Sequence, residues 1–515
     1  MIFILSALCL IAALTLCCIK HMHYFQLNSY KLAEHKVWIR RNKGPLLWLV
    51  ILAALHLVAL LMGNILSAIV CALLSSLYAL SSKPRARKRS KKPLVYTTRV
   101  IRMLVTECLI FGITALLFFL IFPIKLFPIY AAAALLICPH ACILANFINA
   151  PIEAAVRTYY LNDAVSLLRS HPSIKVIGIT GSYGKTSTKY YLHTLLSEKY
   201  DVLMTPGSYN TPMGVVKTIR SSLRATHEVF ICEMGAKYVG DIKELCEIVD
   251  PEIGLITSIG AQHLDTFESL ENIVKTKLEL ADFIGGKGGR VFINGSCQLL
   301  MDNAKSCTVC SPSPDADYVT SSVSANEHGT SFTVSLKDNT RIEITAKVLG
   351  AHNVSNLALA AAVAYEMGLS PDEIKRGARK IESAPHRLQL LHRGNDIIID
   401  DAYNANPAGT KAALEALSLF DGYRIIVTPG MVELGSQAEE FNKSLGKHAS
   451  RVCDKIILVG KRQTESIYRG AIEAGYPKAR IAVYESVTDA LNGAFNTPCD
   501  TRKIILIEND LPDNY

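Results

Sequence analysis

The sequence predicts an α-helical membrane region followed by two α/β domains. Half of the 515 residues are hydrophobic and 19% are charged, below the roughly 25% that is typical of proteins in general. The long uncharged stretches all fall within the first 150 residues. From about residue 174, short β-branched runs alternate with helical stretches, which is typical of a doubly wound parallel sheet. The same alternation starts again after residue 385 and predicts a second, Rossmann-like α/β domain.

The first 150 residues are predicted to contain about five transmembrane helices. Four apolar runs support this prediction: residues 1–19, 46–80, 100–122 and 126–149. A single helix across the second run would be about 52 Å long, whereas a hydrocarbon core is about 30 Å thick. We therefore expect that run to form a hairpin of two spans that turns at Gly63-Asn64.

Charge in this region indicates how the chain is oriented. Residues 1–150 contain 16 Lys and Arg but only two acidic residues, and 14 of these cations lie in segments 20–45 and 81–99. Both segments are expected in the cytoplasm by the positive-inside rule. We therefore expect a multi-pass protein of the cell membrane. A linker helix is expected at 151–173, and the remaining chain is expected in the cytoplasm. Because the basic segments lie between apolar spans, we expect contact with membrane lipid and no nucleic-acid partner.

The α/β elements are predicted in order along the chain. Strands of the first domain, 174–384, are expected in the runs IKVIGIT, EVFICEMG, EIGLITSIG and GRVFING. Period-2 alternation at 317–348 predicts a small antiparallel subsheet, and helices are expected at 353–367 and 371–381. The second domain, 385–515, is predicted to place strands in the runs DIIIDDA, YRIIVTPG, DKIILVG, RIAVYE and KIILIEND.

The segment GITGSYGKTSTK, residues 178–189, carries the strongest functional signal. It lies between a predicted strand and a predicted helix, where backbone N–H groups of a glycine-rich loop cradle phosphates. Lys185 would reach the β- and γ-phosphates and the Thr186 hydroxyl would bind Mg²⁺. Ile179 stands where the usual spacing of such loops has a glycine. The pattern predicts a nucleotide-binding site.

TGSYGKTSTK resembles the phosphate-binding loop of the Mur ligases, which are ATP-dependent amide-bond-forming enzymes of peptidoglycan synthesis. Further segments match in the family's order: TPGSYNTPMGV (205–215), EMG (233–235), SIGAQHLDTF (258–267), KTKLE (275–279), GAHNVSNLALAA (350–361), PHRLQ (385–389), DDAYNANP (400–407) and MVELG (431–435). YNANP and ELG resemble the branch that adds D-alanyl-D-alanine to the UDP-N-acetylmuramoyl tripeptide. The resemblance covers about 174–515 and implies a Mur ligase central ATP-binding domain and C-terminal domain there.

The resemblance implies four groups of site residues. ATP would contact Gly181, Ser182, Gly184, Lys185, Thr186, Ser187, His352, Asn353, Asn356, Arg387 and Asp401. Two Mg²⁺ ions would be held by Thr186, Glu233, His263 and Lys277, with Lys277 carbamoylated. The substrates would meet Asn210, Thr211, Tyr403 and Asn404, and the catalytic residues would be Lys185, Lys277, His263 and Arg387.

The roles of some of these residues stay open. Lys275 competes with Lys277 as the carbamoylated position, and either lysine could instead be a solvated residue on a helix face. Asn353 could pair with the adenine edge through its acceptor and donor together, or cap the helix that it begins. Asp400 is a weaker candidate than Asp401.

The implied reaction is a two-step ligation, in which ATP phosphorylates a carboxylate and an amine then attacks the acyl phosphate. The sequence departs from the family in having membrane spans where soluble members have a domain that binds the UDP-sugar. Ser208 and Thr211 replace usual asparagines, and PGM at 429–431 replaces GDM. The acceptor is therefore open between a nucleotide-linked and a lipid-linked cell-wall precursor, with an amino acid or dipeptide as the amine. A folylpolyglutamate-synthetase-like ligase and a catalytically dead membrane scaffold are the competing hypotheses.

Overall fold

The computed structural model describes residues 2–28 and 93–509, together with the single positions 30, 32 and 35. Seven positions within the longer range lie outside the described residues: 261, 263, 339, 404, 433, 435 and 436. The chain divides into two compact units, with the boundary between Tyr159 and Tyr160.

The first unit is helical. Its helices are Ile2–Leu27, Thr98–Ile121 and the beginning of Phe127–Arg169, with a 3₁₀ turn at Ile124–Leu126. Two helical segments, Thr98–Ile121 and Ala133–Arg169, are long and apolar enough to cross a membrane, judged by length and composition alone. Large apolar side chains such as Leu120, which is 73% exposed, cover the surface of Thr98–Ile121. Five spans stay a prediction, because the expected hairpin at 46–80 lies outside the described residues.

Residues 151–169 are helical and continue the helix that begins at Phe127, so the predicted linker helix at 151–173 has no break at its start, and its role as a linker stays a prediction. Helix Phe127–Arg169 contains both Pro139 and Pro151. Each proline lacks a backbone N–H and so removes one helical hydrogen bond, but neither ends the helix. The sequence predicted a boundary at the end of the apolar run, near residue 149, whereas the helix ends at Arg169.

A nine-stranded mixed sheet forms the first part of the second unit. Its strands are β1 (Lys175–Thr180), β2 (Val202–Met204), β3 (Val229–Glu233), β4 (Ile253–Ile256), β5 (Arg290–Asn294), β6 (Thr308–Ser311), β7 (Tyr318–Asn326), β8 (Gly329–Leu336) and β9 (Arg341–Ala346). The order across the sheet is β2-β3-β1-β4-β5-β6-β7-β8-β9. Strands β1–β6 pair in parallel, and β7, β8 and β9 pair antiparallel to one another.

The predicted antiparallel strands belong to this same sheet. Cys310 of β6 pairs in parallel with Tyr318 of β7, which joins the hairpins to the parallel strands. The sequence therefore indicated the local pairing correctly, but it did not show that the 317–348 segment extends the larger sheet. Strands β2 and β6 were not predicted, and they are only three and four residues long.

Helices cover both faces of the nine-stranded sheet. They are Lys185–Leu196, Pro212–Ser222, Asp241–Val249, Leu264–Phe267, Leu270–Gly285, Gln298–Asn303, Asn353–Glu366 and Pro371–Ala378. Helices Lys185–Leu196 and Asn353–Glu366 share one buried apolar core, whereas Pro212–Ser222 and Leu270–Gly285 contribute to a second core. Strand β1 has buried side chains at every position after Lys175. Burial on both faces explains why it reads as a continuous apolar run.

A six-stranded sheet follows. Its strands are β10 (Gln389–Arg393), β11 (Asp396–Asp401), β12 (Tyr423–Thr428), β13 (Lys455–Val459), β14 (Ile481–Tyr484) and β15 (Lys503–Glu508). The order is β10-β11-β15-β12-β13-β14, parallel except for β10. The accompanying helices are Pro407–Ser418, Ala438–Val452, Glu465–Glu473 and Val487–Phe495. The five predicted strands of this domain are all present, and only β10 was missed.

Candidate active site at the carboxyl ends of the parallel strands

Strand order places a ligand crevice beside β1. The chain passes from β1 to the sheet edge at β2, returns through β3, and then continues on the other side of β1 with β4. Ligands of open α/β sheets bind outside the carboxyl ends of the strands at such a reversal. The glycine-rich segment follows β1 at this edge, and Glu233 is the last residue of β3.

Two glycines shape the loop after β1. Gly181 (φ 145°) and Gly184 (φ 82°) adopt backbone angles that are disfavoured for residues with side chains. A Cβ at position 181 would also lie only 2.1 Å from the Thr257 hydroxyl oxygen. Gly184 then leads directly into helix Lys185–Leu196. The loop therefore ends on a helix N-terminus, where unpaired backbone N–H groups favour a bound phosphate.

The residues after β4 hold this loop in place. The Ser182 amide donates to the Ser258 carbonyl (2.7 Å), and the Ser182 hydroxyl donates to the Gly260 carbonyl (3.0 Å). The Gly260 amide donates back to the Ser182 hydroxyl, and the Tyr183 amide donates to the Ser258 hydroxyl, both at 3.0 Å. Ser182 is buried. Its predicted contact with the nucleotide would therefore be made through the loop backbone rather than through its hydroxyl.

Lys185 lies over the loop that precedes it. Its ammonium group donates to the carbonyl oxygens of Gly181 (2.7 Å) and Ser182 (3.2 Å). The pKa of Lys185 is lowered to about 8, chiefly by burial; Glu233 opposes this shift and Arg387 contributes to it. Arg387 of the PHRLQ segment thus acts electrostatically on Lys185, and its role in phosphate binding stays a prediction.

A buried polar network surrounds Glu233. The Thr186 hydroxyl lies 3.1 Å from both carboxylate oxygens. The Lys189 ammonium donates to Glu233 (2.9 Å) and to the Gly207 carbonyl (2.5 Å), and the Asn210 amide donates to Glu233 (3.1 Å). Sequence reasoning placed Asn210 on the substrate, whereas here its side chain orients the carboxylate predicted to bind metal. The network joins the phosphate-binding loop, β3 and the 205–215 segment.

The electrostatics of Glu233 suit a cation. The Lys189 and Glu233 side chains are 0% and 1% exposed. Burial alone would raise the pKa of Glu233, but the nearby ammonium groups of Lys189 and Lys185 outweigh it and the net shift is downward. The carboxylate and the Thr186 hydroxyl are hard oxygen donors of the kind that Mg²⁺ prefers. These two side chains fit the predicted metal site, while His263 lies outside the described residues.

Burial distinguishes the two candidate lysines on helix Leu270–Gly285. Lys277 is 3% exposed, whereas Lys275 is exposed. The pKa of Lys277 is lowered to about 7, chiefly by burial and also by nearby Lys185. A neutral amine is the form that reacts with carbon dioxide, so the surroundings of Lys277 suit the predicted carbamoylation. Glu279, two residues further on, instead accepts hydrogen bonds from backbone amides at the start of helix Asp241–Val249.

Asn353 and Asn356 lie behind the phosphate-binding loop. The Asn353 amide nitrogen donates to the Leu349 carbonyl (2.8 Å), and its oxygen accepts from the Tyr191 hydroxyl (3.1 Å). A bidentate adenine contact by Asn353, which stays a prediction, would have to replace these bonds. Asn356 packs on the loop itself, because a Cβ at Gly184 would lie 2.6 Å from its side-chain oxygen.

The segment that carries Arg387 has an unusual backbone. His386 (φ 58°) and Leu388 (φ 50°), on either side of Arg387, are both left-handed, which is uncommon for residues other than glycine. Asp400 hydrogen-bonds with His386 Nδ1 (2.8 Å), and the Leu388 amide donates to Asp401 (3.2 Å). The two acids at the end of β11 therefore fix the turn that positions the guanidinium.

Asp401 and Glu508 form a carboxyl pair at the carboxyl edge of the six-stranded sheet. They are neighbours in the register of β11 and β15, and each carboxyl group influences the pKa of the other. Burial raises the pKa of Asp401 to about 6 although Arg387 opposes the shift. Burial and Asp401 together raise the pKa of Glu508 well above its usual value, and the Thr410 hydroxyl donates to it (2.6 Å).

The remaining residues predicted to bind ATP or substrate differ in their burial. Ser187 is partly buried in the first turn of helix Lys185–Leu196, and His352 precedes helix Asn353–Glu366. Thr211 is exposed before helix Pro212–Ser222. Tyr403 is 45% exposed, and its ring centroid lies 4.3 Å from the Arg387 guanidinium carbon. Asn404 lies outside the described residues.

Sequence reasoning gave no role to two residues that belong to these networks. Lys189 lies four positions after Lys185 and therefore on the same side of the helix, which was a usable signal. Glu508 ends a buried apolar run, KIILIE, just as Asp401 ends DIIIDD. An acid at the carboxyl end of a buried parallel strand was therefore a signal that could have identified Glu508 as well as Asp401.

Known protein families match most of the second unit. The Mur ligase middle domain matches residues 179–364, and the Mur ligase glutamate ligase domain matches residues 386–508. This chain belongs to the Mur ligase family. The matched ranges cover the phosphate-binding loop, Glu233, Lys277, Arg387 and Asp401.

Individual Mur ligases show the same similarity. The UDP-N-acetylmuramoyl-tripeptide--D-alanyl-D-alanine ligase of Bacillus subtilis (strain 168) is 33% identical over 323 residues, which are 62% of this chain and 69% of that protein. The enzyme of the same name from Escherichia coli (strain K12) is 29% identical over 310 residues, covering 58% and 68%. A crystal structure of MurF from Acinetobacter baumannii superposes with a TM-score of 0.61 at 25% identity and covers 69% of this chain and 77% of that one.

Proposed function

We propose that this Mur ligase joins D-alanyl-D-alanine to a UDP-N-acetylmuramoyl tripeptide at the expense of ATP, through an acyl-phosphate intermediate. The observation that carries the proposal is the network of Thr186, Lys189, Asn210 and Glu233 beside the phosphate-binding loop. It brings a phosphate site, a metal carboxylate and the predicted acceptor segment together. The similarity to ligases named for this reaction supports the choice of substrates.

In the first step, the acceptor carboxylate attacks the γ-phosphate of ATP. Lys185 would leave the loop carbonyls that it contacts here and bind the β- and γ-phosphates. Arg387 would neutralise charge on the same phosphates from the other domain, because such fixed cations stabilise a transferring phosphoryl group. Two Mg²⁺ ions, when bound by Thr186, Glu233, His263 and carbamoylated Lys277, would screen the remaining phosphate charge.

In the second step, the dipeptide ammonium loses one proton to solvent, and the neutral amine attacks the carbonyl carbon of the acyl phosphate. The C–N bond forms, the C–O bond to phosphate breaks, and the nitrogen releases its second proton to solvent as phosphate leaves. The incoming amine is an ammonium ion in solution near neutral pH, since the pKa of an α-amino group is about 8. The carboxyl pair of Asp401 and Glu508 lies next to Arg387 and Tyr403, on the domain predicted to present the amine. Asp401, whose pKa of about 6 leaves it ionised near neutral pH, supplies negative charge that favours arrival of a cation.

The domain division that goes with this function places the central ATP-binding domain at 174–384 and the C-terminal domain at 385–515. The first 150 residues would hold the enzyme in the cell membrane with both domains in the cytoplasm. The apolar, largely exposed surface of helix Thr98–Ile121 supports membrane contact.

A direct test uses the full chain purified in detergent or nanodiscs. The enzyme is incubated with ATP, Mg²⁺, D-alanyl-D-alanine and either the UDP-linked tripeptide or its lipid-linked counterpart, and products are identified by mass spectrometry. We expect a pentapeptide product with one ADP and one phosphate released per bond. Exclusive turnover of the lipid-linked acceptor would change the substrate assignment. ATP-independent or absent ligation with both acceptors would refute the proposed function.

A further inference from the structure

A pocket next to the predicted acceptor segment has no assigned role. It has a volume of about 320 Å³ and is lined by Tyr160, Met213, Val216, Lys217, Arg220 and Ser221. Most of these residues lie on one face of helix Pro212–Ser222, which begins directly after the 205–211 segment. The pocket therefore continues from the acceptor segment along the outer side of the second unit.

Two cations line the pocket. The Lys217 ammonium donates to the Tyr209 hydroxyl (3.2 Å), and no carboxylate in the described part of the chain pairs with it. The Arg220 guanidinium lies 4.3 Å from the centre of the Tyr160 ring and pairs with Asp163 at 2.5 Å. Aromatic rings thus support both long side chains. Because Asp163 already compensates the Arg220 charge, Lys217 supplies the net positive charge of the pocket and Arg220 supplies its remaining N–H donors.

We propose that this basic-aromatic pocket binds the pyrophosphate group of the sugar-linked acceptor. The inference rests on the proposed function and identifies the part of the substrate that this surface recognises. Soluble relatives are expected to bind the UDP-sugar with an N-terminal domain, and the first 150 residues of this chain are predicted to span the membrane instead. On that prediction, the acceptor's phosphates need another site. The charge of Lys217 and Arg220 is complementary to them, and arginine in particular binds phosphate through two parallel hydrogen bonds.

Distances along the helix are compatible with this substrate. Lys217 and Arg220 lie six and nine positions after Thr211, or about 9 and 14 Å along a helix axis. A tripeptide extends over about 10 Å, and the sugar ring adds to that length before the pyrophosphate is reached. An acceptor with its terminal carboxylate near Glu233 can therefore place its pyrophosphate at this pocket.

The test compares acceptors that have or lack the pyrophosphate. The full chain and its Lys217→Gln, Arg220→Gln and doubly substituted variants are assayed with UDP-linked, lipid-linked and phosphate-free muramoyl tripeptide. Lys447→Gln removes an exposed helical lysine from the C-terminal domain and serves as the control. Each pocket variant should raise the acceptor KM about tenfold for pyrophosphate-bearing substrates, with the KM for ATP unchanged. Lys217→Arg should restore most of the loss.

Several outcomes separate the possibilities. An unchanged acceptor KM in the double variant would overturn the pocket assignment, and so would an equal rise in KM for the phosphate-free acceptor. In either case, ligation by the wild-type chain would leave the proposed function intact. An effect with only one of the two pyrophosphate substrates supports the assignment and identifies the natural source of the group. Ligation of none of the acceptors by the wild-type chain would instead refute the proposed function itself. Weaker binding of the double variant to vesicles of anionic lipid, with unchanged acceptor KM, would assign the cations to lipid headgroups and overturn the proposal.

Discussion

The carboxyl edges of the two sheets have opposite charge balance. At the nine-stranded sheet, two lysines, Lys185 and Lys189, act on the buried carboxylate of Glu233. At the six-stranded sheet, three acids, Asp400, Asp401 and Glu508, lie around the single guanidinium of Arg387. The same structural position, the end of buried parallel strands, thus serves opposite electrostatic purposes.

The difference matches the charges that each edge is proposed to receive. ATP and the developing acyl phosphate are anionic and need the cation-rich edge, whereas the incoming amine arrives as a cation and meets the acid-rich edge. Arg387 is the exception on its own sheet: it contributes to the lowered pKa of Lys185, and we propose that its charge acts at the first edge. Four substitutions test this division of charge.

The largest effect is expected for Lys189→Met. The substitution leaves the Glu233 carboxylate buried without its closest cation, and breaking a buried pair costs about 3–5 kcal/mol. The free energy of unfolding should fall by that order in denaturant titrations without metal. Added Mg²⁺ should recover more stability in the variant than in the wild type, because the metal replaces the lost charge. Equal Mg²⁺ effects in both proteins would contradict a metal role for Glu233.

Substitution of Lys185 is expected to act on catalysis rather than on folding. Lys185→Met removes the cation nearest the phosphate-binding loop, and kcat should fall about a hundred- to a thousandfold. Steady-state ATP turnover measures the loss, and circular dichroism checks that the fold is retained. Wild-type kcat in this variant would show that the cation-rich edge does not bind the reacting phosphates.

Lys277→Ala should lower kcat by about a hundredfold. If Lys277 carries a carbamate, added acetate or formate should restore part of the activity by replacing the lost oxygen ligand. Lys275→Ala is the matched control, because the exposed lysine lies on the same helix two residues away. The assignment would be contradicted if the Lys275 variant, and not the Lys277 variant, lost activity that carboxylates restore. It would also be contradicted if the Lys277 variant lost activity that no carboxylate restores.

The acid-rich edge should show a smaller effect that depends on pH. The pKa of Asp401 is raised to about 6, so the folded state holds its proton more tightly than the unfolded state does. The stability from this group is present below pH 4 and lost as the pH rises through 6. Asp401→Asn should therefore gain on the order of 1 kcal/mol relative to the wild type between pH 4.5 and 7. Thermal unfolding at the two pH values measures this, and a difference of opposite sign would contradict the carboxyl pair.

The sequence predicted most strands and the phosphate-binding loop, because buried parallel strands read as continuous apolar runs and the loop needs glycines at fixed positions. It did not predict the partners of individual side chains. Asn210 was placed on the substrate, but its amide contacts Glu233 across a distance set by the tertiary fold. The choice between Lys275 and Lys277 likewise depended on which side of helix Leu270–Gly285 is buried. Short strands such as β2 and β6 carry too few residues for a periodic signal.

The central claim is that the cation-rich edge transfers a phosphoryl group from ATP to the acceptor carboxylate. Acceptor tripeptide labelled with ¹⁸O in its terminal carboxylate tests it most directly. Turnover by the full chain with ATP and D-alanyl-D-alanine should release phosphate that carries one ¹⁸O atom, because the carboxylate oxygen leaves with the phosphate when the amide forms. Unlabelled phosphate accompanied by amide product would show that the carboxylate is not phosphorylated and would contradict the account.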